Sequence, residues 1–386
     1  VYNKKMYPLR RIYTLSFFLS LSIALTAYVN STFLSGIFNE NFVGFFFSGA
    51  SLLTIIFLEY IPFIIKRLGA RKTTIFILIF STIALLSLGV LENKFLTGLA
   101  FIVYILCNNL AIFCFDIFIE HYTKVENTGR SRGTYLTINN LGWLISPFAS
   151  GVLITALGHR NLYALVAGII MIILMLFSNF MKEYKDSNYN HRSPLKALSY
   201  IHEHPNLLRI ISINFILQLF FSWMIIFTPV YLNQVVGFSF ATIGSIFTIM
   251  LLPFVLLSLP LGRLADKNFG EKKLLGLGLI IMALATLLFG NYSGATPIVF
   301  ALILFFSRVG AATVEIMCET YFFKNVGDED PDIISLFRAT APLAFVVGPL
   351  LATLVLSFSS YPTLFYILAG IIVIGILPAR KLLDMK

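Results

Sequence analysis

Charge is scarce in this chain. Only 12% of its 386 residues are Asp, Glu, Lys or Arg, about half the share of a soluble domain, which excludes a water-soluble globular protein. Cysteine is scarce too: Cys107, Cys114 and Cys318 lack the paired spacing of a zinc or redox motif, so each reads as a small core residue. No GxxxxGK[ST] phosphate loop occurs, which argues against direct ATP drive. The histidines, His121, His159, His191, His202 and His204, fall at the ends of apolar runs or between them and form no buried catalytic centre. Period-two alternation is missing as well, which excludes a large β-barrel. The chain reads as no enzyme and needs no cofactor.

What fills the sequence is hydrocarbon. Hydrophobic residues make up 58%, and mean hydropathy is +0.88. A helix needs roughly 18 or more apolar residues to cross a bilayer. Twelve such runs are present, at residues 12–34, 42–65, 73–91, 96–121, 134–157, 161–181, 208–232, 241–261, 274–290, 296–322, 333–356 and 361–379. The first is too long to read as a cleavable signal peptide and has no small-residue cleavage site. The fold expected is an all-α integral membrane protein of twelve transmembrane helices.

The net charge of +10 could suggest nucleic acid, but its distribution says otherwise. With the N-terminus inside, the outer loops hold only Lys94 and Arg160, and Arg308 sits in mid-membrane. The other basic residues lie on or near the inner side, as the positive-inside rule expects. This implies cytoplasmic N- and C-termini and a multi-pass protein of the plasma membrane, the inner membrane if the source is bacterial. One inner loop breaks the trend: "GDEDPD", residues 327–332, is acidic.

The longest hydrophilic stretch between two runs covers residues 182–206. It divides the chain into an N-terminal six-helix bundle (1–181), a cytoplasmic linker (182–206) and a C-terminal six-helix bundle (207–386). Pro194 and Pro205 suggest that the linker carries a surface helix. Sliding the second half over the first by about 200 residues brings landmarks into register. Gly44 meets Gly244, "RLGARK" (67–72) meets "NFGEKK" (268–273), Asp116 and Glu120 meet Glu315 and Glu319, and Ser146 with Pro147 meets Gly348 with Pro349. Both halves run in the same direction, so the bundles are pseudo-symmetric about an axis along the membrane normal.

"GRLADKNFGEKK", residues 262–273, resembles the signature loop of the major facilitator superfamily through Gly262, Asp266, Lys267, Gly270, Lys272 and Lys273. Its first-half counterpart keeps Gly69, Arg71 and Lys72 but has Ile61 and Ile65 in place of the glycine and aspartate. "GWLISPFASG", residues 142–151, loosely resembles a pattern of proton-coupled exporters, with Ser146 and Ser150 replacing glycines. The resemblance spans the whole chain and implies a transporter working by alternating access. It also implies that Asp266 accepts hydrogen bonds from a neighbouring helix end, and that the first, fourth, seventh and tenth spans line a central cavity.

"SRVGAATVEIMCETYFF", residues 307–323, places three charges inside the tenth span. Each would cost at least ~2.5–3.5 kcal/mol on a lipid-facing helix, so each must face protein or water. Arg308, Glu315 and Glu319 fall within about 40° of one line along the helix, a track about 16 Å long. The fourth span repeats the pattern with Asn109, Asp116 and Glu120. Four carboxylates beside one mid-membrane cation cannot all stay ionised cheaply, which is what a proton-coupling site requires. Asp116 and Glu315, with Arg308 and Asn109, are the coupling or substrate candidates. Glu120 and Glu319 lie nearer the inner surface as gate candidates, with Arg338, Arg130 or Arg132 as partners. Glu59 is a further intramembrane carboxylate. Asn214 and Gln218 form a polar face on the seventh span, and Tyr28 and Asn30 lie in the outer part of the first.

These features predict a monomeric secondary active transporter. Its partners are a small-molecule solute, protons or another coupling ion, and membrane lipid, with no nucleic acid. Export of an amphipathic or drug-like compound is the first expectation and import of a nutrient such as an organic anion or sugar the second. A divalent metal transporter, with His121 and Cys318 near the carboxylates, and a non-transporting sensor are the remaining alternatives.

Overall fold

The structure is a computed structural model that describes residues 2–383 apart from 28, 39, 190–193, 267–269, 293 and 295. Tyr28, His191 and Lys267 lie outside the described residues. In chain order the helices are α1 (Tyr2–Ala27), α2 (Asn30–Ile37), α3 (Glu40–Leu68), α4 (Ala70–Val90), α5 (Lys94–Tyr122), α6 (Thr128–Phe180), α7 (Pro194–Glu203), α8 (Pro205–Val230), α9 (Phe240–Ala265), α10 (Glu271–Asn291), α11 (Pro297–Asn325), α12 (Pro331–Phe358), α13 (Tyr361–Ile374) and α14 (Ile376–Arg380). Among the described residues there is no strand.

Local chemistry sets the boundaries. Helices α7, α8, α11 and α12 begin at a proline, whose fixed φ suits a first turn and whose missing N–H has no partner to lose there. Asn93 and Ser239 cap α5 and α9 by accepting from the N–H groups of Leu96 and Thr242. The glycine shared by the two repeat loops has a conformational reason. Gly69 (φ 85°) and Gly270 (φ 72°) both take the left-handed backbone immediately before α4 and α10, a conformation costly for any side chain. Gly158 (φ 75°) kinks α6 between the fifth and sixth expected spans.

Ten helices are long and apolar enough to cross a membrane among the described residues. The runs at 12–34 and 134–157 are not among them. Within the first, α1 ends at Ala27 and α2 begins at Asn30, and Val29 N–H closes a tight turn on Thr26 O at 2.9 Å. Asn30 is held by Tyr163, whose hydroxyl donates to its Oδ1 at 2.8 Å. The second, in α6, carries Thr134, Thr137, Asn139, Asn140, Ser146 and Ser150. The seventh run also ends differently: after Pro229 the chain widens into a π turn, Tyr231–Val235.

The chain divides into two compact units. Unit 1 comprises Val1–Thr123, Ile138–Ala197 and Val326–Pro342, and unit 2 comprises Lys124–Thr137, Leu198–Asn325 and Leu343–Lys386. Each unit therefore contains one short segment drawn from the opposite half of the sequence. In unit 1, α5 packs on α1, α3 and α4, and nearly every residue from Leu106 to Glu120 is buried. In unit 2, α11 packs on α8, α9 and α10, and its second half is buried almost without a break. The two central helices are the ones that carry the charged tracks.

Candidate functional site

Unit 1 brings Asp116 to Arg338. The Asp116 side chain is wholly buried on α5, and Arg338, in the first turns of α12, donates from Nε to Oδ2 at 2.6 Å and from Nη2 to Oδ1 at 3.0 Å. This is the bidentate fork that makes arginine and carboxylate a strong pair. Protonating Asp116 would remove its charge and one acceptor, and so weaken the hold on residues 326–342. Glu120 is buried one turn further along α5. Asn109, half-buried, turns its amide back to Ile105 O at 2.9 Å.

Unit 2 holds the counterpart. Arg132, in the first turns of α6 and fully buried, stands 3.7 Å from Glu319 of α11. Its guanidinium lies over the Phe323 ring at 3.2 Å from the centroid, a cation–π contact. Arg130 is exposed, and only its backbone enters the signature-loop contact: the N–H groups of Gly129 and Arg130 donate to Asp266 at 2.9 and 2.7 Å. Asp266 thus caps the N-terminus of α6, where helix dipole and orphan donors favour a carboxylate.

Several groups brace that cap. Lys324 of α11 donates to Glu271 at 2.5 Å and to Ala265 O at 3.2 Å, and stands 3.7 Å from Asp266. Gly262 meets the Gly129 backbone. Lys272 is half-buried and Lys273 exposed. Glu271 and Lys324 are functional neighbours that sequence reasoning missed; the one available signal was their place beside the signature loop and at the end of the charged track.

The first-half loop makes a different contact. Asp186, in the chain after α6, accepts from the Ala70 N–H at 2.6 Å and from Tyr189 Oη at 3.0 Å. A carboxylate from a distant segment therefore caps α4. The acidic loop finds its purpose nearby: Asp328 pairs with His121 Nδ1 at 2.7 Å and accepts from Ser187 Oγ. Tyr184 packs edge-on to His121 at 4.9 Å and shares a hydrogen bond with Tyr189 at 2.8 Å. Burial pushes both phenols above their ordinary range, so they remain neutral. A cleft of about 420 Å³ lined by Lys66, Arg67, Gly69, Asp186, Ser187 and Tyr189 among others belongs to this face.

Burial acts to raise the Asp328 carboxyl, but hydrogen bonds from His121 and Ser187 and the His121 charge outweigh it and hold the carboxyl below the ordinary range. A depressed folded-state value means a stabilising contribution that is present above the ordinary carboxylate range and lost as pH falls through the folded value. Asp328→Asn is therefore expected to lower thermal stability at pH 7 by about 1 kcal/mol or less, since the pair is partly exposed. The difference from wild type is expected to narrow as pH is taken below about 4. Melting curves of the two proteins across that range check it.

The remaining candidates lie on α3, α8 and α11. Arg308 is buried in α11, with its guanidinium carbon 4.8 and 5.9 Å from the centroids of Phe220 and Phe221 on α8. Glu315 is half-buried, Asn214 buried and Gln218 half-buried. Glu59 is half-buried on α3. Among the described residues no three His, Cys, Asp or Glu side chains come together as a metal-binding group.

Solved structures of similar fold include several transporters. A human organic anion transporter, MFSD10 (TETRAN), superposes with a TM-score of 0.81 at 14% identity, covering 97% of this chain and 99% of that one. A bacterial homologue of the iron transporter ferroportin, in an outward-facing state, gives 0.78 at 14% identity over 97% and 98%. The proton:xylose symporter XylE gives 0.75 at 14% identity over 98% and 96%. No curated protein sequence matches. The family model of the Major Facilitator Superfamily matches residues 12–240 and 210–384, together nearly the whole chain, and the protein, a transporter and not an enzyme, belongs to that superfamily.

Proposed function

We propose that the protein is a secondary active transporter that moves a small organic solute by alternating access, driven by protons. In this reading twelve transmembrane helices form two six-helix bundles, residues 1–181 and 207–386, joined by a cytoplasmic linker at 182–206. Both termini are cytoplasmic and the membrane is the plasma membrane. The observation that carries the proposal is reciprocal. A segment of each half is held in the opposite unit by an arginine reaching a carboxylate of the central helix: Arg338 to Asp116 in unit 1 and Arg132 to Glu319 in unit 2.

Residues 124–137 and 326–342 act as the gate on the cytoplasmic side. Alternating access requires both segments to leave the helices that hold them. Asp116 is the proton-responsive element of the first latch: protonated, it no longer balances Arg338, and the latch weakens; deprotonated, it re-forms. Glu315, one turn deeper than Glu319 on α11, serves as the corresponding proton site of the second half. Asp266, with Lys324 and Glu271 behind it, fixes the entry of α6. Asn109, Asn214 and Gln218 line the route. Export of an amphipathic compound is the favoured direction, on the fifth-span pattern around Ser146 and Ser150. The likeness to a proton:xylose symporter agrees with coupling to protons, and that to an organic anion transporter with movement of an organic solute.

The test is reconstitution in liposomes with an imposed pH gradient and a panel of radiolabelled amphipathic amines, carboxylates and sugars. Gradient-dependent accumulation or extrusion of at least one member is expected. Flux indifferent to the gradient would remove the proton coupling, and binding of a panel member without flux would identify a sensor.

A further inference from the structure

Arg308 is the cation of the α11 track, and neither latch pair includes it. Arg308 lies seven residues, about 10.5 Å, before Glu315 along the helix, and is only 2% exposed. Its Nη1 has no hydrogen-bond partner, and among the described residues no carboxylate pairs with it. What surrounds the guanidinium instead is aromatic, the rings of Phe220 and Phe221. Cation–π contacts offset only a part of what burying an uncompensated ion costs. A structural role accounts for the burial poorly, because an apolar side chain of similar volume would pack there at lower cost.

We propose that Arg308, flanked by Phe220 and Phe221, is the binding subsite for the carboxylate of an amphipathic organic monoanion, and that this monoanion is the transported solute. The inference rests on the transporter reading. A guanidinium is planar and presents paired N–H donors that fit a carboxylate in a bidentate fork, and one cation balances one negative charge. The half-buried ring of Phe221 gives the apolar body of the ligand, an aryl or alkyl group, a surface to lie on, with the fully buried Phe220 packed against the guanidinium behind it. Binding supplies the counter-charge that the fold withholds, so affinity derives from compensating an ion already buried.

Trp223 offers a built-in reporter. It is one of two tryptophans in the chain, is buried one turn from Phe220, and donates from Nε1 to Gly348 O at 2.7 Å. Purified protein is titrated with benzoate, 4-phenylbutyrate and octanoate, and with the corresponding neutral amides, while tryptophan fluorescence and melting temperature are followed. At least one carboxylate is expected to bind saturably and raise the melting temperature, with its amide at least tenfold weaker. Arg308→Met is expected to abolish that binding while raising the melting temperature of the ligand-free protein, and Arg308→Lys to bind with intermediate affinity.

The proposal is overturned if no carboxylate binds, if acid and amide bind alike, if Arg308→Met binds as wild type does, or if Arg308→Met lowers the melting temperature as loss of a structural group would. The outcomes separate it from the broader reading. Arg308-dependent binding without flux in liposomes leaves the subsite standing and removes the monoanion as the transported solute. Flux of another solute with no carboxylate binding removes the subsite and leaves the transporter standing.

Discussion

Replacing Arg338 by Gln is expected to speed alkylation of a cysteine placed at position 335 by about a hundredfold. Ser335 is buried in the segment that unit 1 takes from the second half, so a thiol there reacts with a membrane-permeant maleimide only when the segment leaves. Arg338 holds that segment through two hydrogen bonds to a wholly buried carboxylate. Removing one partner of a buried pair costs about 3–5 kcal/mol. The Arg338 side chain retains 21% exposure, which places the effect at the lower end, and ~3 kcal/mol corresponds to about 10² in the open population. The background is low because Cys107, Cys114 and Cys318 are all buried. Measuring labelling half-times of Ser335→Cys with and without Arg338→Gln decides it.

The second large effect is steric and falls on the other latch. Gly133 of α6 meets the backbone of α9: an added Cβ would stand 2.6 Å from Ser258 O and 3.1 Å from Leu259 Cα. Backbone atoms inside a helix cannot rotate away as a side-chain tip can. Gly133→Val is therefore expected to lift residues 128–137 off α9, and with them the Asp266 cap and the approach of Arg132 to Glu319. Overpacking of this kind costs about 1–3 kcal/mol, so labelling of a cysteine at Thr128, fully buried in the wild type, is expected to rise about tenfold or more. Gly168→Ala, in the same helix but with nothing within 4 Å of its added Cβ, serves as the control and is expected to leave the rate unchanged.

The charged tracks of α5 and α11 are legible in the sequence because helical spacing alone puts Asn109, Asp116 and Glu120, and Arg308, Glu315 and Glu319, each on one face. So are the repeat glycines Gly69 and Gly270, because only a left-handed turn makes glycine recur at such a loop. The linker helix α7 is legible from the prolines around it. The depth at which an arginine engages its carboxylate is not. Arg338 enters α12 seven residues after Pro331 and reaches Asp116, while Arg132 enters α6 four residues after Thr128 and reaches Glu319. That difference depends on where each helix begins relative to the central helix.

The same limit hides Asp186. The loop at Ile65 lacks its signature aspartate, and the carboxylate that caps the helix after it comes from a segment more than a hundred residues away, so no local spacing announces it. The acidic loop 327–332 stands out by composition, yet its reason, the pairing of Asp328 with His121, needs three dimensions. The turn at Val29 is similar, since the partner that holds the adjoining Asn30 is Tyr163 of α6.

The central claim is that Asp116 and Arg338 form a single latch whose release opens the gate. A double-mutant cycle on the Ser335→Cys labelling rate tests it most directly, without needing the solute. Asp116→Asn, Arg338→Gln and the double variant are compared with the parent. If the two residues act as one latch, each single change speeds labelling by about a hundredfold, and the double variant labels no faster than the faster single one. Independent effects that multiply to about 10⁴ in the double variant, or no effect of Asp116→Asn on the exposure of position 335, would contradict it.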